Sequence, residues 1–332
     1  MFQAARRIVR RIKRFSVRQW FGVLFVVIFV ALATYGAVHS THTASAPKQN
    51  AVKTAKKQPT KAKKKSKSSA TTTPTTTPQT TSPPSTPVTQ GDQLTSIVNT
   101  WRGQYSFGSA VTVLELTGSK RAIHANSTTR MVPASTYKIY VAYAILHGVE
   151  QGRWTLGTTL SDGHTIQADL ENMILNSNND AARALGFYYD WNDINSLIWS
   201  IGISRQTNLY NYVPPSTEPI GNKYTTSDDL AAMLQKIYEG SVLNQSHTSY
   251  LIGLLKQQRY RERIPAGVPS SVAVADKPGW LSPVDGYDGY VQNDAAIVYG
   301  PKSTYILVIT TSGSSTQPLT ALSQQVYGYL QQ

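Results

Sequence analysis

The sequence predicts an α/β domain over residues 91–332, in which an antiparallel sheet built from both ends of the region is flanked by helices and accompanied by an all-helical part. Three observations lead to this fold class: strand patterns occur near the start of the region, helical patterns fill its middle, and strand patterns return before a last helix. Strands on either side of a helical stretch favour a sheet that the two chain ends build together. We expect an active site at the seam between the sheet and the helical part.

Hydrophobic periodicity places the elements of this domain. An amphipathic stretch over 94–101 comes first, followed by an alternating apolar run over 110–116 that is typical of a strand. Apolar residues at helical spacing predict helices over 135–148, 168–176, 180–187, 194–201, 227–238, 249–258 and 319–330. Short apolar runs predict further strands over 272–275, 295–299 and 305–310.

The first 90 residues predict a membrane anchor and a tether. Residues 1–18 are rich in Arg and Lys, which predicts a basic cytoplasmic tail, and the uncharged run within 19–38 is long enough for a transmembrane helix. Residues 39–90 are mostly Lys, Thr, Pro, Ser and Ala and predict a disordered linker. The domain would then be extracytoplasmic on a single-pass anchor. A cleaved signal peptide is the alternative, because Ala44-Ser45-Ala46 has the form of a cleavage site.

Charge and composition exclude several classes of partner and cofactor. The net charge is +14, but all of the basic excess lies in residues 1–91, so we expect no nucleic-acid partner for the folded domain. The Lys-rich linker either binds anionic cell-wall polymers or simply remains solvated and extended. The chain has no cysteine, and its six histidines lack the paired spacing of metal ligands. The sequence therefore predicts no metal and no organic cofactor.

The first candidate for chemistry lies within one helical turn. Ser135 and Lys138 open an apolar predicted helix, so their polar ends lie on one face. Backbone N–H groups at a helix N-terminus stabilise an oxyanion, and a lysine amine with a lowered pKa removes a hydroxyl proton. This motif alone equally describes a capping serine followed by a surface lysine.

Two further motifs favour the chemical interpretation. Ser177-Asn178-Asn179 has the form S-x-N, and Lys277-Pro278-Gly279-Trp280 follows a predicted strand where a K-T-G motif would stand. With S-x-x-K, S-x-N and this third element in order, the chain resembles the class A serine β-lactamases and related penicillin-binding enzymes. The resemblance covers about 91–332 and extends to residues 173–174, 224–226, 229–230, 263–265 and 293–298.

The resemblance implies a role for each motif residue. Ser135 would attack the amide or lactam carbonyl, Lys138 would act as the base, and Ser177 would relay the proton to the leaving nitrogen. Lys277 would attract the substrate carboxylate and help depress the pKa of Lys138. Asn179 would bind the acylamide side chain of the substrate. The backbone N–H groups of Ser135 and Trp280 would form the oxyanion hole, with Gly279 letting the substrate lie against the strand.

The sequence departs from the family pattern in two places. Pro278 replaces the Thr or Ser of K-T-G, which removes a hydroxyl expected at the substrate carboxylate and a backbone donor from the strand. Glu218, in the E-x-x-x-N pattern over 218–222, would be the deacylating base, but the loop that follows it is shorter than in the family. A misplaced Glu218 would leave a persistent acyl-enzyme.

Three functions follow as hypotheses. The first is a β-lactamase-like serine hydrolase acting on β-lactam amides. The second is a D,D-peptidase or transpeptidase-like cell-wall enzyme acting on D-Ala-D-Ala-type peptides, and the third is a catalytically silent module that binds wall peptide or a protein.

Overall fold

A five-stranded antiparallel sheet forms the centre of the domain. The computed structural model of the chain describes residues 90–209, 223–285, 287 and 289–332, and its strands are ordered β2-β1-β5-β4-β3. The strands are β1 Gly108–Glu115, β2 Ala122–Ala125, β3 Ala273–Leu281, β4 Val291–Tyr299 and β5 Thr304–Ser312. Two strands come from the beginning of the domain and three from its end, which confirms the predicted sheet.

Helices occupy both faces of this sheet. They are α1 Gln90–Gly103, α2 Lys138–Glu150, α3 Ile166–Leu175, α4 Asn179–Tyr189, α5 Trp191–Ser200, α6 Ser227–Tyr238, α7 Gln245–Lys256 and α8 Thr316–Leu330. Short 3₁₀ turns cover Ala134–Tyr137, Ile264–Gly267 and Pro283–Asp285. Several helices begin at a polar side chain that accepts a backbone N–H of the first turn, as Thr165 does for α3 and Thr226 for α6.

The hydrophobic core has two parts, one on each face of the sheet. In β5 the side chains of Tyr305, Leu307 and Ile309 pack with α1 and α8, whereas Ile306 and Val308 pack with the helical part. Successive residues of a strand point to opposite faces, so a strand covered on both sides is apolar throughout. This is why the strand signal of β5 is a continuous apolar run rather than an alternation.

Two element boundaries differ from expectation in ways that matter for the site. The strand predicted over 272–275 is Ala273–Leu281, so the Lys-Pro-Gly-Trp segment lies inside β3 rather than after it. The helix predicted from residue 135 begins as a 3₁₀ turn, and its α-helical part starts at Lys138. The four-residue strand β2 was not predicted, because so short a run carries little periodicity.

The predicted cytoplasmic tail (1–18), the predicted membrane helix (19–38) and residues 39–89 of the predicted linker lie outside the described residues. Within the described part of the chain, no helix combines the length and the apolar character needed to cross a membrane.

Candidate active site

A tight turn presents Ser135 at the start of α2. Ala134 has a φ of +46°, a left-handed conformation that only a sharp change of chain direction requires of a residue with a side chain. The turn is held by Pro133, whose carbonyl accepts hydrogen bonds from the Thr136 backbone N–H at 3.2 Å and from Thr136 Oγ1 at 2.7 Å. Ser135 is therefore partly exposed while its neighbours on either side are buried.

Lys138 lies one helical turn further on and is fully buried. Its Nζ donates to Ser135 Oγ at 3.0 Å, to the carbonyl oxygen of Ser177 at 2.6 Å and to Asn179 Oδ1 at 2.7 Å. An ammonium group has three donors, so these three acceptors hold it in place with no solvent contact. The amine is thus within hydrogen-bond reach of the serine hydroxyl, as a general base must be.

Ser177 connects this amine to a second one. It follows α3 with a φ of +54°, and its Oγ lies 2.9 Å from Lys277 Nζ and 3.4 Å from Lys138 Nζ. A hydroxyl can accept from one amine while donating to the other, so this group offers a path for a proton. Asn179 begins α4 and is exposed, which leaves its amide accessible beside Lys138.

Strand β3 forms the wall opposite the nucleophile. A Cβ at Gly279 would lie 2.7 Å from the Ser135 backbone nitrogen and 2.8 Å from the Pro133 carbonyl oxygen, so only glycine lets the strand approach the turn this closely. Pro278 is tolerated because β3 is an edge strand of the sheet. Its carbonyl accepts a hydrogen bond from Lys277 Nζ at 3.0 Å.

Buried charges surround Lys277, which is itself fully buried. The pKa of Lys277 is lowered to about 7, chiefly by burial and also by the positive charge of Arg263, against the opposing effect of Asp276 and Asp294. Burial also raises the pKa of both carboxyl groups. Arg261 donates to Asp276 Oδ1 at 2.5 Å. The lysine therefore changes its charge near neutral pH, and its neighbours determine where.

Sequence reasoning missed two supports of the site. Asn293 Nδ2 donates to the carbonyl oxygens of Val132 and Pro133 at 2.8 and 2.9 Å, which ties the nucleophile turn to β4. Arg263 binds Gln292 Oε1, and its guanidinium lies 5.1 Å from the centre of the Trp280 ring. For Asn293, the available signal was a polar residue next to an apolar strand run.

The structure brings five of the predicted site side chains into one crevice: Ser135, Lys138, Ser177, Asn179 and Lys277. Pro278, Gly279 and Trp280 lie beside them on β3. Glu218 lies outside the described residues. This set of groups can activate a hydroxyl nucleophile, carry its proton away and hold an anionic substrate. No histidine of the described residues belongs to it; elsewhere, Asp162, His164 and Asp169 each have one potential ligand atom within 4.8 Å of the other two.

Comparison with known proteins identifies a family. The profile described as the beta-lactamase enzyme family matches residues 92–330, well over half of the chain. No curated protein matches the sequence.

Solved structures share the fold at low sequence identity. PBP-A is 21% identical with a TM-score of 0.64, over 75% of this chain and 98% of its own, and one of its variants was solved as an acyl-enzyme complex with penicillin G. The TLA-1 extended spectrum β-lactamase is 18% identical with a TM-score of 0.66, over 73% and 100% of the two chains. A β-lactamase from Xanthomonas campestris pv. campestris is 20% identical with a TM-score of 0.63, over 73% and 99%.

Proposed function

Because the chain belongs to the beta-lactamase enzyme family, with the fold of the class A serine hydrolases, we propose that its domain opens β-lactam amides through an ester at Ser135. The observation that carries the proposal is the chain of hydrogen bonds from Ser135 Oγ through Lys138 Nζ to Ser177 Oγ and on to Lys277 Nζ. It provides a nucleophile, a base and a proton relay in one crevice.

The acylation step follows from this chain of contacts. Lys138, in its neutral form, takes the proton of Ser135, and the serine oxygen forms a bond to the carbonyl carbon of the substrate. When the tetrahedral intermediate collapses, the carbon–nitrogen bond breaks. Ser177 donates its proton to the departing nitrogen and regains from Lys138 the proton that left Ser135, so the net transfer is one proton from Ser135 to the amine product.

Substrate binding uses the groups that face the same crevice. We assign the backbone N–H groups of Ser135 and Trp280 to the oxyanion hole, an assignment supported by the close approach of β3 to the nucleophile turn at Gly279. Lys277 attracts the substrate carboxylate, and the exposed amide of Asn179 binds the acylamide group. These contacts suit a β-lactam and a D-Ala-D-Ala-type peptide alike.

A second candidate function is a penicillin-binding D,D-peptidase or transpeptidase-like enzyme. It is favoured by the short sequence that follows Glu218, because a glutamate held out of place by a shortened loop would leave the acyl-enzyme persistent. We propose Glu218 as the deacylating base of the hydrolase. Glu218→Gln should then leave acylation intact and prolong the lifetime of the ester, and an unchanged lifetime would exclude this role.

The two functions separate in one experiment. The purified chain is incubated with a fluorescent penicillin, and turnover of a chromogenic cephalosporin is followed in parallel. Turnover that Ser135→Ala abolishes supports the hydrolase, and a stable adduct at Ser135 supports the penicillin-binding enzyme. Ser200→Ala is the matched control, because Ser200 is an exposed serine at the end of α5. Absence of both label and turnover contradicts the proposal and leaves a silent binding module.

We also propose that residues 19–38 anchor the domain on the outer side of the cell membrane, with residues 1–18 inside and 39–90 as the tether that lets it reach peptidoglycan. The chain has no cysteine, so single cysteines report topology without background. Ser200→Cys should react with a membrane-impermeant maleimide in intact cells, and Ser16→Cys should react only after lysis. Equal reactivity of both would contradict the orientation, and release of the domain into the medium would indicate a cleaved signal peptide.

A further inference from the structure

Three side chains with metal-ligating atoms meet where the chain enters α3, apart from the catalytic crevice. His164 Nδ1 lies 3.2 Å from Asp169 Oδ1 and 3.6 Å from Asp162 Oδ2. One ligand atom from each residue lies within 4.8 Å of those from the other two. Two residues come from the loop and the third from the first turn of the helix, all within eight positions of sequence, so the local turn into α3 brings them together.

One of the two carboxylate oxygens of Asp169 has no hydrogen-bond partner among the described residues. Its side chain is 1% exposed, and Oδ2 is buried without a hydrogen-bond partner in the described structure. Two neighbouring carboxylates repel each other, and a cation between them would relieve that repulsion.

The loop holds these groups in place without help from an ion. Gly163 has a φ of +89°, which closes a turn in which its N–H donates to the Leu160 carbonyl oxygen at 3.1 Å. Asp162 Oδ1 accepts the backbone N–H of His164 at 3.0 Å, which leaves Oδ2 facing the imidazole. Thr165 then caps α3 through a hydrogen bond from the Ala168 N–H. The side chains are thus oriented by backbone geometry.

From this geometry we propose that Asp162, His164 and Asp169 bind one divalent transition-metal ion of the zinc class. Tetrahedral ligands at about 2.0–2.2 Å from Zn²⁺ lie roughly 3.3–3.6 Å from one another, and the two measured separations, 3.2 and 3.6 Å, agree with such edges. An imidazole nitrogen with two carboxylates suits zinc, nickel or copper, whereas calcium prefers six to eight oxygens.

The site is open to an ion from solvent. The side chain of His164 is 61% exposed and that of Asp162 is 32% exposed, so the buried Asp169 forms the floor and the other two form the rim. Three protein ligands leave a fourth position for water.

A bound ion would tie the loop to the first turn of α3. That helix ends at Leu175, two residues before the active-site Ser177, and its ten residues span about 15 Å. The ion would therefore stabilise the fold and stand too far away for the chemistry, so this inference does not depend on the proposed function.

The test measures metal binding by the full-length chain, purified without a histidine tag and freed of metal with a chelator. Calorimetric titration with ZnCl₂ should give one strong site per chain, and the midpoint of thermal unfolding should rise with zinc concentration, as linkage requires of a ligand that binds the folded state. His164→Asn and Asp169→Asn should each weaken binding by about tenfold or more and remove the rise. His164 is mostly exposed, so its variant should fold.

His247→Asn is the matched control, because His247 also lies beside a carboxylate, Glu150, at 2.8 Å, with no second one within 4.0 Å among the residues that the structure describes. It should bind zinc as the unaltered chain does, and CaCl₂ should produce no rise in any of them. The proposal is overturned by a chain that shows no zinc response, by His164→Asn and Asp169→Asn variants that respond like the unaltered chain, or by calcium acting as well as zinc.

Discussion

Substitution of Gly279 by alanine should impair acylation by forcing β3 away from the nucleophile. The added Cβ would lie 2.7 Å from the Ser135 nitrogen, 2.8 Å from the Pro133 oxygen and 2.9 Å from the Thr136 nitrogen, all of them backbone atoms that no side-chain rotation can move. Ordinary contacts begin at 3.4 Å, so the strand or the turn must shift by about 0.7 Å. Overpacking of this kind destabilises by about 1–3 kcal/mol.

The catalytic effect should exceed the effect on stability. A misplacement of about 1 Å between reacting groups slows a reaction by roughly 100-fold, because the crevice loses its near-attack geometry. The rate of labelling by fluorescent penicillin and the midpoint of urea unfolding should therefore be measured together. Gly253→Ala is the control, since a Cβ at this position in α7 meets nothing within 4 Å and should be neutral or slightly stabilising. Labelling of Gly279→Ala at the unaltered rate would refute the reasoning.

Three further predictions concern the surroundings of the crevice. The second-order rate constant of acylation should fall as pH rises through about 7, because Lys277 then loses the charge that attracts the substrate carboxylate. Arg263→Gln should move this inflection to higher pH, since it removes a cation that lowers the pKa of Lys277. Identical pH profiles for the two proteins would contradict this prediction. Pro278→Thr should raise the acylation rate by roughly 10- to 150-fold at most, the equivalent of one hydrogen bond to a charged group, and no change would show that the missing hydroxyl is not limiting. Asn293→Ala should lower the free energy of unfolding by about 1–3 kcal/mol, since it removes the hydrogen bonds of Asn293 to the buried Thr311 backbone N–H and to the Val132 carbonyl oxygen. An unchanged urea midpoint would exclude this anchoring role.

The electrostatic design of the crevice explains why a lysine can be buried there. Asp276 and Asp294 lie on β3 and β4 behind Lys277, and Arg261 and Arg263 lie close to both carboxylates. Two carboxylates face three cations in this group, so removal of either carboxylate would increase the unbalanced positive charge around Lys277. Substitution of Asp276 or Asp294 should therefore disturb both the fold and the pKa of Lys277.

Much of the fold was predictable because its signals are local. The helix over Ser227–Tyr238 was predicted to the residue, since its apolar spacing and its capping Thr226 both lie within a few positions of sequence. The extent of β3 was not, because Asp276, Lys277 and Pro278 interrupt the apolar run that marks a strand. Their burial depends on partners from β4 and from residues 261–263, which are distant in sequence.

The sequence alone determined which reactive groups are present: a serine one helical turn from a lysine, an S-x-N segment and a second lysine before a glycine, with no thiol. It also determined that a basic N-terminal segment precedes a nearly neutral domain. Only the tertiary structure decided that the two amines share one hydroxyl and that β3 passes close enough to the nucleophile turn to require Gly279. The reason is physical: periodicity and motifs report residues within a turn or a strand, whereas burial, pKa and ligand geometry arise between segments that the fold brings together.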